Sequence, residues 1–228
     1  MFFPLKDENP TKTFAYMTVI LIIVNCLVFF AMIAAGSYYR GVFVAKYGVT
    51  PYEITRAVDI NPKSAVSPYL TLVTSLFLHG SLFHLISNMW FLWIFGNNIE
   101  DVVGHLKFVL FYVLGGIAAS LLQILLTASS KAPIIGASGA VSAILGAYIL
   151  KFPRARIRTL AFIFVFVTVL NVPAVTFIGL WFIFQLFSSL TAAASNVAWY
   201  AHIGGFLFGL LTIKLFLKRE GYKKYRVY

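Results

Sequence analysis

Residues Ser138–Leu150, which read SGAVSAILGAYIL, decide the fold of this chain because they are apolar but too few to cross a bilayer. Thirteen helical residues extend about 20 Å, whereas the hydrocarbon core of a bilayer is about 30 Å thick. Lys151 and the arginines behind it hold one end of the segment at the membrane interface. The other end therefore stops about 10 Å below the opposite surface. Non-helical backbone at that depth is tolerated only inside protein or beside water, so the sequence predicts a water-accessible cavity that reaches residues 136–138.

The composition identifies lipid as the solvent for most of the chain. Of its 228 residues, 61% are hydrophobic and 11% are charged, whereas soluble chains are about 45–50% apolar and about 25% charged. The single cysteine, Cys26, excludes a disulfide framework and a cysteine-based metal site. The net charge of +11 lies mostly in residues that flank apolar segments. This placement favours contact with anionic lipid head groups over binding of nucleic acid.

The apolar stretches predict one all-α polytopic membrane domain over residues 1–228, a six-helix bundle with a short central fourth helix. The predicted spans are Phe14–Ala35, Leu82–Ile99, Leu106–Thr127, Ser138–Leu150, Leu160–Leu186 and Asn196–Leu217. Both termini then lie on one side of the membrane, together with thirteen of the 18 lysines and arginines. The positive-inside rule predicts a cytoplasmic N-terminus (1–13) and a basic cytoplasmic tail (218–228), and we expect a cell membrane, plasma or inner, as the location.

The first extracytoplasmic loop, residues 36–70, is long for a connection between two helices and contains three prolines. Loops of this length are usually functional or disordered. A plain connector is an equally open alternative.

Ser138 begins the short helix within the sequence Gly136-Ala137-Ser138-Gly139. The glycines allow a tight turn and close approach of neighbouring backbone. Free N–H groups and the helix dipole favour negative charge at this point. They could stabilise the oxyanion that forms when the hydroxyl of Ser138 attacks a carbonyl carbon. A helix-capping serine between packing glycines is the alternative that this motif alone leaves open.

His202 is the second candidate, because an ionisable side chain inside a span is costly and usually functional. It lies about 9 Å below the same surface, near the depth predicted for Ser138. Gly205 and Gly209 share its helix face and form a GxxxG element that allows close approach to the fourth helix. These features predict a nucleophile, Ser138, beside its general base, His202. A histidine that only bonds neighbouring helices together is the alternative.

Acidic residues are absent from the spans at this level, although the chain has seven in all. The predicted site is therefore a Ser–His dyad, whose imidazole is held by packing or by another hydrogen bond. The lack of paired acids disfavours an aspartyl mechanism. No HExxH motif occurs and no carboxylate can join the histidines, so we expect neither a metal nor another cofactor.

His84 and Asn88 lie four residues apart in the second span, and therefore on one helix face. Both side chains can donate hydrogen bonds, so they could complete an oxyanion hole with the backbone N–H of Ser138. Polar contacts that only join helices are the alternative.

The chain resembles the rhomboid intramembrane serine proteases over about 200 residues. Three motifs carry the resemblance in the family's order: His79-Gly80-Ser81-Leu82-Phe83-His84 with Asn88, Gly136-Ala137-Ser138-Gly139, and Ala201-His202-Ile203-Gly204-Gly205 with Gly209. The resemblance implies a bundle of rhomboid type in which Ser138 is the nucleophile, His202 the general base, and His84 and Asn88 oxyanion donors. It implies a structural role for Glu100. It also implies cleavage of single-span membrane-protein substrates near the outer end of their membrane helix.

One position departs from the family pattern. Members often carry an aromatic residue four positions after the serine, stacked on the histidine, but here that position is Ser142. Another group must therefore orient His202.

The fifth predicted span suggests a route for the substrate. It contains Asn171 and Pro173, which should weaken a helix locally. It leads into the small-residue run 188–195. We expect this segment to gate access of the substrate to the cavity.

Two other classes of protein compete with the protease. A catalytically silent rhomboid-like protein would bind membrane helices without cutting them, and it would need neither Ser138 nor His202. A transporter or channel is the third reading, but the spans offer no chain of charges and no inverted repeat.

Overall fold

The computed structural model describes residues 2–60, 66–163, 166–191 and 197–218. Its elements in chain order are β1 (Phe2–Asp7), α1 (Tyr16–Ala34), α2 (Ser37–Tyr47), α3 (Pro51–Arg56), α4 (Thr71–Thr74), a 3-10 helix (Ser75–Phe77), α5 (Leu82–Val103), α6 (His105–Leu126), α7 (Ser138–Lys151), β2 (Arg156–Ile163), β3 (Phe166–Pro173), α8 (Ala174–Thr191) and α9 (Trp199–Phe216). The predicted basic tail beyond residue 218 and residues 192–195 of the predicted gate lie outside the described ranges.

Helices dominate the described chain, which confirms the prediction of an all-α polytopic membrane protein. Within the described residues, α1, α6, α8 and α9 are each long and apolar enough to cross a membrane. The segment Thr71–Phe77 and α5 form a pair that is bent by 95° and passes the same test together. The shorter apolar helix is α7, which begins at Ser138 as predicted.

The short helix α7 lies among the other helices of the bundle. Every residue from Gly139 to Tyr148 is buried, and α7 packs against α5, α6, α8 and α9. A helix that is apolar on all sides needs partners on all sides. Protein rather than lipid therefore surrounds α7, which allows it to be too short to cross the bilayer.

Backbone contact joins α7 to α9. A Cβ atom added to Gly205 would overlap the carbonyl oxygen of Gly139, and one added to Gly209 would overlap the carbonyl oxygen of Ala143. From the other helix, Gly146 meets the backbone of Phe206 in the same way. This is the close approach that the GxxxG element predicts. It brings the first turns of the two helices together.

The predicted fifth span, Leu160–Leu186, is wrong in its first half. β2 and β3 form an antiparallel hairpin there, and β1 pairs with β2 to give a sheet of order β1-β2-β3. A short apolar run rich in β-branched and aromatic residues fits a strand as well as a helix. The strand period of two is visible where exposed Arg156 and Arg158 alternate with buried Ile157 and Thr159.

Asn171 and Pro173 consequently lie in β3 and do not weaken a helix, contrary to the prediction. Pro173 is the last residue of the strand, and α8 begins with the next residue. The N–H of Ala174 donates to the carbonyl of Ala155, just after α7, at 2.8 Å. The hairpin thus begins and ends beside the same short loop.

Two neighbouring carboxylates of α5 hold the start of α1. Glu100 is fully buried and accepts from the backbone N–H groups of Met17 and Thr18 at 2.9 and 2.7 Å. Asp101 accepts from the backbone N–H groups of Lys12 and Thr13 at 3.1 and 3.0 Å. The bonds to Glu100 come from free amides of the α1 N-terminus, and those to Asp101 come from the segment just before it. All four are charge-assisted, so both acids stabilise the fold.

The loop between α1 and α4 lies against the segment that precedes α7. Val49 and Ile134 exchange backbone hydrogen bonds at 3.0 and 2.8 Å. The N–H of Tyr52, in α3, donates to the carbonyl of Ser130 at 3.0 Å. The described part of this loop therefore supports the backbone that leads to Ser138, and it is more than a plain connector.

Candidate active site

Within the described residues, no side chain caps the N-terminus of α7, and Ala137 occupies the N-cap position. Ser138 is the first helical residue, so its backbone N–H is one of the amides without a partner inside the helix. The capping role left open for this serine is therefore not what its side chain performs. Free amides at the start of a helix form a binding site for negative charge.

Gly136 shapes the turn before the serine. Its φ of +123° is a conformation that side chains disfavour, and its N–H donates to the carbonyl of Ser75 at 2.9 Å. A Cβ atom there would lie 2.7 Å from Cε1 and 2.8 Å from Nε2 of His84, and 3.8 Å from Oγ of Ser138. The imidazole of His84 and the hydroxyl of Ser138 therefore lie close to the same point beside this glycine.

His202 lies in the first turn of α9, which begins at Trp199 and not at the predicted Asn196. Two tryptophan rings flank its imidazole: the centroid distances are 6.2 Å to Trp181 of α8 and 6.0 Å to Trp199. The aromatic neighbours of this histidine therefore come from α8 and from the start of α9. At the position where rhomboids often carry the ring, the hydroxyl of Ser142 donates to the carbonyl of Ser138 at 2.7 Å.

Gln185 of α8 is the polar partner of His202 that the sequence analysis missed. Its Oε1 lies 2.7 Å from Nδ1 of the imidazole, and the glutamine is 4% exposed. Gln185 is not ionisable, so the cost of burying a charge does not single it out in the sequence. A neutral amide within the apolar run Trp181-Phe182-Ile183-Phe184-Gln185-Leu186-Phe187 was the available signal, because buried polar side chains require partners.

A second glutamine holds the backbone beside the histidine. Oε1 of Gln123, on α6, accepts from the N–H of Ala201 at 3.2 Å. The same residue approaches Thr127 one turn later. Gln123 thus supports the start of α9 through its backbone, whereas Gln185 contacts the imidazole itself.

The two predicted oxyanion donors come from α5, whose first turn is capped by Ser81. Asn88 is buried and donates through Nδ2 to the carbonyl of His84 at 2.9 Å. An amide nitrogen carries two hydrogens, so one N–H remains for another acceptor. His79 is also buried, and its ring centroid lies 5.0 Å from that of His84.

A cavity of about 1220 Å³ opens where the short helix predicts one. Its wall includes Ser138, His202, His84, Asn88 and Gln185. The structure therefore brings all four predicted site residues to one cavity and adds the glutamine to them. A hydroxyl, an imidazole and several N–H donors around one space are the groups that acyl transfer requires.

Comparison with known proteins identifies relatives. The family model described as Rhomboid domain matches residues 67–219. The chain is 33% identical over 162 residues to the presenilin-associated rhomboid-like protein, mitochondrial, of Mus musculus, covering 67% of this chain and 39% of that protein. It is 32% identical over 158 residues to rhomboid protein 1, mitochondrial, of Saccharomyces cerevisiae, covering 65% and 42%. The chain thus spans about two fifths of the length of these curated relatives.

These relatives correct one prediction. A plasma or inner cell membrane with cytoplasmic termini was expected, but the relatives are mitochondrial by name, as is RHOMBOID-like protein 12 of Arabidopsis thaliana. The charge count compares the two sides of a membrane and carries no information about which membrane it is, so this prediction was wrong. A membrane location stands.

Proposed function

The chain belongs to the rhomboid family, and from that premise we propose that it is an intramembrane serine endopeptidase formed by one membrane domain. Its substrates would be membrane proteins, which it cleaves within or beside a membrane-spanning segment. The observation that carries the proposal is that Ser138, at an uncapped helix N-terminus, and His202 line one cavity within the bundle.

The reaction follows from the two side chains. His202 removes the proton from Oγ of Ser138 through Nε2, because Nδ1 is bonded to Gln185. Oγ attacks the carbonyl carbon of the peptide, and the imidazolium then passes the proton to the leaving amine, which leaves an ester on Ser138. A water molecule, deprotonated by the same imidazole, attacks the ester, and the imidazolium returns this proton to Oγ of Ser138 as the acid is released. The dyad is restored at the end of the cycle.

The oxyanion of each tetrahedral intermediate needs donors on the side away from the base. We assign this role to the backbone N–H of Ser138, the imidazole of His84 and the free N–H of Asn88. All three lie along the cavity wall, and the dipole of α7 adds to their effect. Losing one such donor typically lowers kcat by about 10²–10³-fold.

The substrate must reach the cavity from the lipid, and α8 is the helix that we propose as the gate. It has four buried residues among its described side chains, Ala174, Ile178, Gln185 and Ser188, and many large apolar side chains on it face outwards. Phe177 packs against Phe91 and Phe95 of α5, with ring centroids 6.4 and 6.5 Å apart. A loosely held helix can separate from its neighbour at low cost.

The test is cleavage of a labelled single-span substrate by the purified protein in vesicles. We expect cleavage by the wild type and none above background by Ser138→Ala or His202→Ala. Ser120→Ala, which changes a serine of α6 on the wall of the same cavity, is the matched control and should remain active. Cleavage that survives both site substitutions would refute the dyad.

A serine-directed fluorophosphonate probe separates the alternatives. The protease should be labelled at Ser138, and His202→Ala should abolish the labelling. A catalytically silent helix-binding protein would retain the single-span substrate in a pull-down but would neither cleave it nor react with the probe.

A further inference from the structure

The contact between Gln185 and His202 places a neutral amide where serine proteases with a triad carry an acid. Oε1 and Nδ1 are 2.7 Å apart, and the glutamine is almost fully buried. A contact this short inside a low-dielectric bundle is a strong geometric constraint on the ring. It joins two helices, α8 and α9, that are consecutive in the chain.

The chemistry of the two groups defines the tautomer. A carbonyl oxygen carries no hydrogen, so Nδ1 must be the donor in this contact. A neutral imidazole with its hydrogen on Nδ1 has its lone pair on Nε2, which is the form that accepts a proton from a serine hydroxyl. The opposite tautomer would present an N–H to Ser138 and could not act as its base.

No acid among the described residues lies on the cavity wall, and four of these acids accept hydrogen bonds elsewhere in the fold. Glu100 and Asp101 bond to the start of α1. Asp7 accepts from the hydroxyl of Tyr148, and Glu53 accepts from the N–H of Ile60. The partner of the imidazole is therefore the amide of Gln185.

We propose that Gln185 is the positioning residue of His202: it fixes the Nδ1–H tautomer and aims Nε2 at Ser138. This inference rests on the proposed function, and it supplies the group that the sequence analysis could not identify. It also implies that the base is correctly set only while α8 lies against α9. The orientation of His202 would then depend on α8, the helix that we also propose as the gate.

The kinetic test uses two substitutions of similar size. Gln185→Met removes the acceptor, and we expect kcat to fall by at least about tenfold with KM unchanged, because general-base catalysis depends on the tautomer. Gln185→Glu retains an acceptor and adds a charge that stabilises the imidazolium. That variant should stay active, with the acid limb of its kcat/KM profile moved to higher pH.

Gln123→Glu is the matched control, because it adds a charge near the site through a residue that bonds to the backbone beside His202. It should move the acid limb less than Gln185→Glu does. Wild-type kcat in Gln185→Met at an unchanged melting temperature would overturn the proposal. So would equal shifts in the two glutamate variants.

A spectroscopic measurement keeps this proposal separate from the proposed function. The chain has four histidines, and the ¹⁵N signals of His202 can be assigned by their loss in His202→Ala. We expect the Nδ1–H tautomer in the wild type and a mixture of tautomers in Gln185→Met. This result is expected whether or not the protein cleaves a given substrate, whereas the Nε2–H tautomer in the wild type would refute the role of Gln185.

Discussion

Gly205 of α9 lies so close to the carbonyl oxygen of Gly139 of α7 that a side chain at position 205 would overlap it. The contact lies one turn below His202 on one helix and next to Ser138 on the other. The spacing of the two helices at the site is therefore set by backbone atoms, which cannot adjust as side chains do.

Gly205→Ala should separate α9 from α7 at the site. Overpacking of this kind costs about 1–3 kcal/mol of stability, and a displacement of about 1 Å at a reacting group can lower the rate by about 10²-fold. We expect cleavage and fluorophosphonate labelling to fall together, with a lower melting temperature. Gly179→Ala in α8 is the control, because nothing lies within 4 Å of the added Cβ atom. An active Gly205→Ala variant would show that the helices have more freedom than this packing indicates.

Gly136→Ala should inactivate the protein for a local reason. Alanine disfavours a φ of +123°, and its Cβ atom would collide with the imidazole of His84. Strain of this kind costs about 1–3 kcal/mol, and relief of the collision would move His84 away from the oxyanion. Labelling of Ser138 should therefore fall by more than about tenfold. Gly41→Ala, in an open position of α2, should be labelled at the wild-type rate.

Asp7 should make the stability of the fold depend on pH. Burial raises its pKa to about 6 from the ordinary value of 3.8, against the opposing effect of the hydrogen bond from Tyr148. The folded state therefore binds its proton more tightly than the unfolded state, so this group stabilises the fold most below about pH 4. That contribution is lost as the pH rises towards 6 and beyond.

Melting temperatures of the detergent-solubilised protein between pH 4.5 and 7.5 measure this effect. Asp7→Asn should flatten the decline that the wild type shows across that range, because its amide does not titrate. The amide oxygen can still accept from the hydroxyl of Tyr148, so the variant keeps the contact between β1 and α7. Identical slopes in the two proteins would exclude Asp7 as the source.

Tethering α8 to α5 should block access of the substrate without disabling the dyad. Phe91→Cys and Phe177→Cys replace two rings whose centroids lie 6.4 Å apart on α5 and α8, and a short bismaleimide can join the two thiols in a Cys26→Ser background. We expect cleavage of the single-span substrate to fall at least about tenfold, because opening motions limit access to closed sites. Labelling by the small fluorophosphonate should continue. Undiminished cleavage after complete crosslinking would rule out α8 as the gate.

The sheet shows where the sequence pattern was insufficient. The run from Leu160 to Val172 is apolar enough to extend a membrane helix, and its hydrophobicity alone does not separate strand from helix. Whether this run forms strands or a helix depends on β1, because the strand at Phe2–Asp7 pairs with β2 from about 150 residues away in the chain. Local propensity carries no information about such a partner.

Gln185 shows the same limit at the site. The sequence established that His202 has no acid within the spans and needs another partner, but α8 and α9 contain several polar side chains that could have provided it. Gln185 faces the imidazole because of the rotation of α8 about its own axis. That rotation depends on how Ile178 and Trp181 of α8 pack against the neighbouring helices. Such packing is a property of the assembled bundle.

The sequence by itself determined the membrane class, the helical bundle, the short fourth helix and the residues of the candidate dyad. These follow from lengths, hydrophobicity and the cost of placing polar groups in lipid, all of which are local quantities. Only the tertiary structure decided the sheet, the start of α9 and the partner of His202. These depend on contacts between separate elements, and such contacts form only when the elements have packed together.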